Sequence, residues 1–203
     1  MTEVLKSNKS KDREASESKL LEAAKCVFSQ YGFNGATTRM IAQKSGVNIS
    51  LINRYFDGKY GLLLAMLKQQ NTAFRELPLS YPPCETAVEE ICKFADHVFE
   101  VYFVDPQFVK IVMGQFCTDE KFLADFRNMF PTDEAHPMLL ERLEILKAKN
   151  KIHPETLIHQ VTIDIESAIF GMNVSNVIVG GYEKEVAMLK TKSFLTGYAR
   201  SLL

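Results

Sequence analysis

Apolar residues recur along this chain at helical spacing in one segment after another, and no run alternates over a useful length with the period of two that marks a half-buried strand, apart from the ambiguous stretch 161–165. Residues 1–17 are polar and Ser/Lys-rich, with no large apolar group after Leu5, which predicts a flexible tail. From Ser18 the pattern changes. Leu20, Ala24, Val27, Phe28 and Tyr31 form one stripe, and Gly32 ends it where a helix C-cap glycine belongs. Thr37 can cap a short second helix containing Met40, Ile41 and Ala42, which stops at Ser45-Gly46. Asn48 can cap a third over 49–55. Asp57-Gly58 is a turn, and Leu62, Leu63, Met66 and Leu67 open a longer fourth helix.

The segment 78–83 holds Pro78, Pro82 and Pro83 and cannot continue any helix, because proline lacks the amide donor and restricts the residue before it. Beyond it the pattern predicts helices over 88–104, 108–116, 120–130, 137–149, 155–179 and 182–202. The 155–179 segment carries two stripes. Ile158, Val161, Ile165, Ala168 and Met172 lie on one face, and Ile163, Phe170, Val174 and Val177 on another, so this helix should be covered on both sides. The expected fold is all-α with about nine helices: a tail (1–17), a head (18–67) and a larger helical body (68–203).

Composition changes this picture little. Hydrophobic residues make up 46% and charged residues 24%, as in ordinary globular proteins. No apolar run has the length of a membrane span, and the N-terminus has no secretion-signal pattern, so the expectation is a cytoplasmic protein with no membrane association. Cys26, Cys84, Cys92 and Cys117 have neither a CxxC pair nor zinc-site spacing, so reduced thiols and no metal are expected. Asp96, His97 and Glu100 fall within one helical turn, but a solvated helix face explains them better than an acid/base group. No G-x-S-x-G, H-E-x-x-H or glycine-rich phosphate loop is present, and neither an enzyme nor a cofactor is expected. Charge is unevenly divided. Residues 1–59 carry ten Lys and Arg against six Asp and Glu, whereas the rest carry fourteen against nineteen, so only the first part suits a polyanion.

Two short helices joined by a tight glycine turn and braced by a third fit a helix-turn-helix unit, although from spacing alone a generic helical hairpin is the better reading, and resemblance decides between them. Ala23-Ala24, Phe28, Gly32-Phe33, Thr37, Ile41-Ala42, Gly46-Val47, Tyr55-Phe56 and Lys59 with Leu62-Leu63 resemble the N-terminal domain of the TetR family of bacterial transcriptional regulators. The resemblance runs without a gap across roughly fifty residues, a span longer than most single motifs. It implies a three-helix DNA-binding head, a fourth helix linking it to a ligand-binding body, and a homodimer built on the last two helices. Asn53 departs from the family, which commonly has tyrosine there, and Met40 sits where an acidic residue is common.

The recognition helix should enter the major groove by its N-terminal end, so Ile49, Ser50 and Asn53 are the candidate base readers, with Asn48 also in the DNA-binding set and the departure at Asn53 leaving base reading, phosphate contact or neither open for that residue. Thr37, Thr38, Arg39, Arg54, Tyr55 and Lys59 are the candidate phosphate contacts. The expected partner is double-stranded DNA with a pseudo-palindromic operator. For the body, the density of Met and Phe points to a lipophilic or aromatic effector held by Phe103, Met113, Phe116 and Phe170, with a polar end at His97 or Asn173. Phe170, Val174, Val177, Phe194 and Tyr198 are the candidate homodimer contacts. A redox-responsive regulator using Cys84 and Cys92, and one controlled by a protein partner, are the alternatives.

Overall fold

The computed structural model describes the chain except for residues 1, 77, 103–105 and 131–132, and it is helical throughout with no strand among the described residues. Its Cα positions cluster into two compact units: residues 1–71 with 110–126, and residues 72–109 with 127–203.

The first unit begins with α1 (Thr2–Gly35), whose helical path is broken at Gly32 by a φ of 69°, a left-handed angle that glycine adopts without strain. Helix from Thr2 corrects the expectation of a flexible tail at 1–17. That expectation rested on burial alone, whereas residues 2–18 contain no glycine or proline and several strong helix formers, and Arg13 pairs with Glu17 one turn on at 2.6 Å. Thr37 caps α2 (Thr38–Ser45) by accepting a hydrogen bond from the Met40 amide, and Gly46 ends it at a φ of 67°. Asn48 caps α3 (Ile49–Phe56), which stops at left-handed Asp57. Then α4 (Gly58–Glu76) begins at once. Its second turn approaches the end of α3 so closely that a Cβ on Gly61 would fall 1.5 Å from the Phe56 carbonyl oxygen, so only glycine fits there.

Leu20, Ala24 and Phe28 of α1, Ile41 of α2, Ile52 of α3 and Leu62 and Leu63 of α4 are fully buried and form the apolar interior of this head. Each large side chain among them stabilises the fold by about 1.5–3 kcal/mol relative to exposure. Residues 110–126 add the last part of α6 (Pro106–Thr118) and most of α7 (Glu120–Met129). The Phe122 ring meets Tyr60 edge-on at 6.4 Å, and the Tyr60 hydroxyl donates to Asp125 Oδ2 at 2.8 Å.

The second unit is built from α5 (Ala87–Tyr102), α8 (Pro137–Ala148), α9 (Ile158–Asn173) and α10 (Lys184–Arg200). Ala187, Thr191, Leu195 and Ala199 recur every four residues and give α10 one buried stripe, against a core that includes Ile91, Phe94, Ile165 and Ile169. The single helix expected over 155–179 is divided: regular α-helix ends at Asn173, and Val174–Val179 form a π-helical turn. A buried polar network crosses the unit. Glu90 is fully buried, accepts from Arg142 Nη1 at 3.1 Å and from the Cys84 amide at 2.9 Å, and Arg142 Nη2 donates to the Tyr81 carbonyl. His136 is equally buried; it caps α8, and burial lowers its pKa to about 4, so it sits neutral.

Candidate nucleic-acid interface

α3 owes its placement to Ile52, which is fully buried while Ile49, Ser50, Asn53 and Arg54 stay exposed. Positions 49 and 53, and 50 and 54, are each one turn apart, so these four share a single outward face. Asn48 Oδ1 accepts from both the Ser50 amide, at 2.9 Å, and the Ser50 hydroxyl, at 2.8 Å. The Ser50 oxygen is thereby left as an acceptor, suited to an exocyclic amine. Ile49 is 44% exposed and gives this face one apolar side chain. The Asn53 carboxamide makes no hydrogen bond among the described residues and keeps its full donor and acceptor capacity.

Beside this face stands the first turn of α2. The Thr37 oxygen satisfies the Met40 amide, which leaves the Thr38 and Arg39 amides at the positive end of the helix dipole. Arg39 and Arg54 are exposed and have no ion pair among the described residues, while Thr38 is half-buried. Tyr55 is half-buried, with its ring against Phe56 and the Arg13 guanidinium 5.1 Å from its centroid. Arg13 therefore stands next to the recognition helix. Reading residues 1–17 as a tail concealed it, and only a helical reading of that segment would have found it.

Lys59 is placed differently from expectation. Its ammonium donates to the carbonyls of Phe33 at 2.7 Å, Ala36 at 2.9 Å and Asn34 at 3.4 Å, and it lies 4.6 Å from the Phe33 ring centroid. Burial lowers its pKa. All three donors are engaged by the α1–α2 junction, so Lys59 is a brace inside the head, and its assignment as a phosphate contact is corrected. Gly61 was missed altogether, because nothing in the local sequence shows how near Phe56 comes.

A family profile described as "Bacterial regulatory proteins, tetR family" matches residues 20–66, the segment that holds all of this geometry. The head is similar to the DNA-binding domains of the TetR family. The probable HTH-type transcriptional regulator YttP of Bacillus subtilis strain 168 is 41% identical over 49 residues, 24% of this chain and 24% of that protein. The HTH-type transcriptional regulator BetI of Vibrio campbellii is 30% identical over 95 residues, 45% of this chain and 47% of that protein. The matches thus span from about a quarter to about half of the relatives' length. Both relatives are named as regulators and neither as an enzyme. Among solved structures, a TetR transcription regulator from Haloarcula marismortui superimposes with a TM-score of 0.68 at 16% identity, covering 93% of this chain and 98% of that one. The TetR-type fold therefore extends through the helical body as well as the head.

In that body the expected effector residues are not all brought together. Met113 and Phe116 belong to the first compact unit, where Phe116 lies 4.7 Å from Phe126 and 5.4 Å from Phe122. Phe103 lies outside the described residues. Phe170 is 45% exposed, on the side of α9 away from its buried stripe, so it does not wall an interior cavity as expected. His97 and Asn173 are buried in the second unit. The His97 ring stacks on Phe74 at 6.3 Å with Nδ1 3.4 Å from Ser80 Oγ, and burial lowers its pKa. Of the dimer candidates, Phe170 and Phe194 are exposed and Val174 and Tyr198 half-buried. Tyr198 donates to Asp164 Oδ2, and Val177 packs against the Phe99 and Ala187 cluster. Leu189 is 72% exposed beside them and was not singled out from the sequence.

Proposed function

We propose that this protein is a DNA-binding transcriptional regulator that acts as a homodimer on a pseudo-palindromic operator and is released from it by a small lipophilic or aromatic effector. Residues 18–67 bind DNA, and residues 68–203 dimerise and take the effector. The observation that supports this most is the outward face of α3: Ile49, Ser50, Asn53 and Arg54, held rigidly by buried Ile52 and two helix caps within a TetR-family head. Asn53 reads adenine through its free carboxamide, Ile49 packs on a thymine methyl, and Asn48 and Ser50 present oxygens at the groove edge. Thr37, Thr38, Arg39, Arg54 and Tyr55 hold phosphates and fix the register.

The exposed apolar residues Phe170, Val186, Leu189 and Phe194 on α9 and α10 support a four-helix dimer seam. Two heads in fixed separation then match half-sites about one helical repeat apart. Helix α4 contributes to both compact units. Its last turn is tied down by His136 Nε2, which donates to the Phe74 carbonyl at 3.2 Å, and by Arg75, which donates to the Glu134 and Ala135 carbonyls. An effector that displaces this end of α4 changes the separation of the heads and releases the DNA, with repression as the mode of control. Linkage then requires the effector to bind the DNA-free protein more tightly by the factor by which it weakens DNA binding.

A redox switch at Cys84 has less support, because burial and Glu90 push that thiol's pKa up, away from the reactive thiolate. In-vitro selection of duplexes by the full chain, followed by mobility-shift assay with and without lipophilic compounds, tests the proposal. A selected operator released by at least one such compound is the expected result; failure to enrich any sequence overturns it.

A further inference from the structure

Four buried side-chain atoms among the described residues lack a hydrogen-bond partner: Ser29 Oγ, His97 Nε2, Asn173 Nδ2 and Asn176 Nδ2. A buried amide that pairs with nothing is destabilising, and such groups are rare in folded proteins without a role. Two of the four stand together. Asn173 and Asn176 are three residues apart, where α9 gives way to the π-helical turn Val174–Val179. A π-turn inside a helix realigns the side chains around it and recurs at functional positions.

The surroundings suit a ligand with one polar end. Asn173 is fully buried, and its Oδ1 accepts from Thr191 Oγ1 at 3.3 Å, so the carboxamide is already oriented. One turn along from Asn173 is Val177, and one turn back from Thr191 is Ala187. Both belong to a small apolar cluster with Phe99, Val109 and Met188, separate from the main core. Only Phe99 and Ala187 in that cluster are sealed; Val109, Val177 and Met188 are partly exposed, which leaves it reachable from solvent. Free amide hydrogens call for an acceptor oxygen. The adjoining cation, Lys192, is bound to both carboxylate oxygens of Asp96 at 2.8 and 3.0 Å and so offers no free charge to an acid.

We propose that the Asn173 and Asn176 carboxamides form a subsite for the carbonyl oxygen of an uncharged, otherwise apolar ligand whose skeleton lies on Phe99, Val177, Ala187 and Met188. The inference rests on the reading of the body as an effector module and narrows the effector from lipophilic compounds in general to neutral ketones, esters, lactones or aldehydes.

The test uses the full-length protein with 2-nonanone, δ-decalactone and acetophenone as probes, against nonane and decanoate. Thermal shift and the side-chain amide signals of ¹⁵N-labelled protein are the readouts. At least one carbonyl probe should stabilise the wild type and move the Asn173 and Asn176 amide signals. Asn176→Leu, a change at a half-buried position, should bind that probe at least tenfold more weakly and nonane no worse. Asn173→Ser should weaken the carbonyl probe similarly while retaining a partner for Thr191. Equal binding of carbonyl and hydrocarbon probes, preference for decanoate, or an Asn176→Leu protein that keeps full carbonyl affinity would overturn the subsite. DNA binding without any probe is measured in parallel: a protein that binds operator but no carbonyl probe overturns this subsite alone, and one that binds neither overturns the wider function too.

Discussion

Lys59 and Arg39 carry the same charge in the same head and do different things, because one is surrounded by carbonyls and the other by solvent. Replacing Lys59 with Met leaves the Phe33, Asn34 and Ala36 carbonyls without their donor, and should lower the unfolding free energy by roughly 1–3 kcal/mol in denaturant titration. Arg39→Ala should leave stability unchanged, weaken binding to all DNA sequences about equally, and reduce the salt dependence by about one phosphate contact. Asn53→Ala should instead narrow the gap between a selected site and its mutated versions by about 1–3 kcal/mol, read from competition assays. His136 supplies a pH dependence. Its folded pKa of about 4 lies below the ordinary value of 6.5, so above pH 6.5 it is neutral in both states and costs nothing. As pH falls from 6.5 towards 4 the unfolded chain takes up a proton that the folded chain refuses, and stability drops by up to roughly 3 kcal/mol. Glu166, which accepts from the His136 amide and whose pKa burial raises, opposes this by protonating earlier in the folded state. His136→Gln should flatten the fall in stability between pH 6.5 and 4.5; an unchanged slope would show that the proton is taken up elsewhere.

At the scale of the element, what was legible in the sequence was whatever is decided within a few residues. Thr37, Gly46, Asn48 and the Asp57-Gly58 pair mark their helix ends by their own hydrogen bonds and backbone angles, so the short helices could be read from spacing, while the family resemblance was needed to tell a helix-turn-helix from a generic helical hairpin. The outward face of α3 followed from it, since burying Ile52 fixes which side is left over. What depends on distant approach was hidden: the carbonyls that hold Lys59 lie 23–26 residues away, and the need for glycine at position 61 comes from the Phe56 backbone. Membership of the two units was hidden too, because Met113 and Phe116 lie within the body's stretch of sequence yet join the first unit with Phe122 and Phe126. The π-turn escaped because an apolar stripe has nearly the same look at either helical period. The two-sided character of α9 was legible, and it carries a prediction. Phe170, Leu189 and Phe194 remain exposed on α9 and α10, so Leu189→Glu combined with Phe194→Glu should give a folded monomer by light scattering that no longer binds operator. Val177 is a poor site for this test, since it packs on Phe99 and Ala187 within the chain.

For the whole molecule, the overall charge of −1 hides a basic head and an acidic remainder, an arrangement that draws one end of the protein to a polyanion. In the proposed dimer two such heads would act together, so affinity should fall steeply with salt through their phosphate contacts, while base contacts should set the difference between sites. Among the described residues no helix is long and apolar enough to cross a membrane, and no group of His, Cys, Asp and Glu is placed to hold a metal. The central claim is that the exposed face of α3 reads DNA sequence. Fluorescence anisotropy of wild-type protein against a duplex obtained by in-vitro selection, compared with a scrambled duplex between about 50 and 200 mM salt, tests it most directly. The account predicts a pseudo-palindromic selected duplex bound at least a hundredfold more tightly than the scrambled one, with both affinities falling as salt rises and the difference shrinking in Asn53→Ala; equal affinity for the two duplexes at every salt concentration would contradict it.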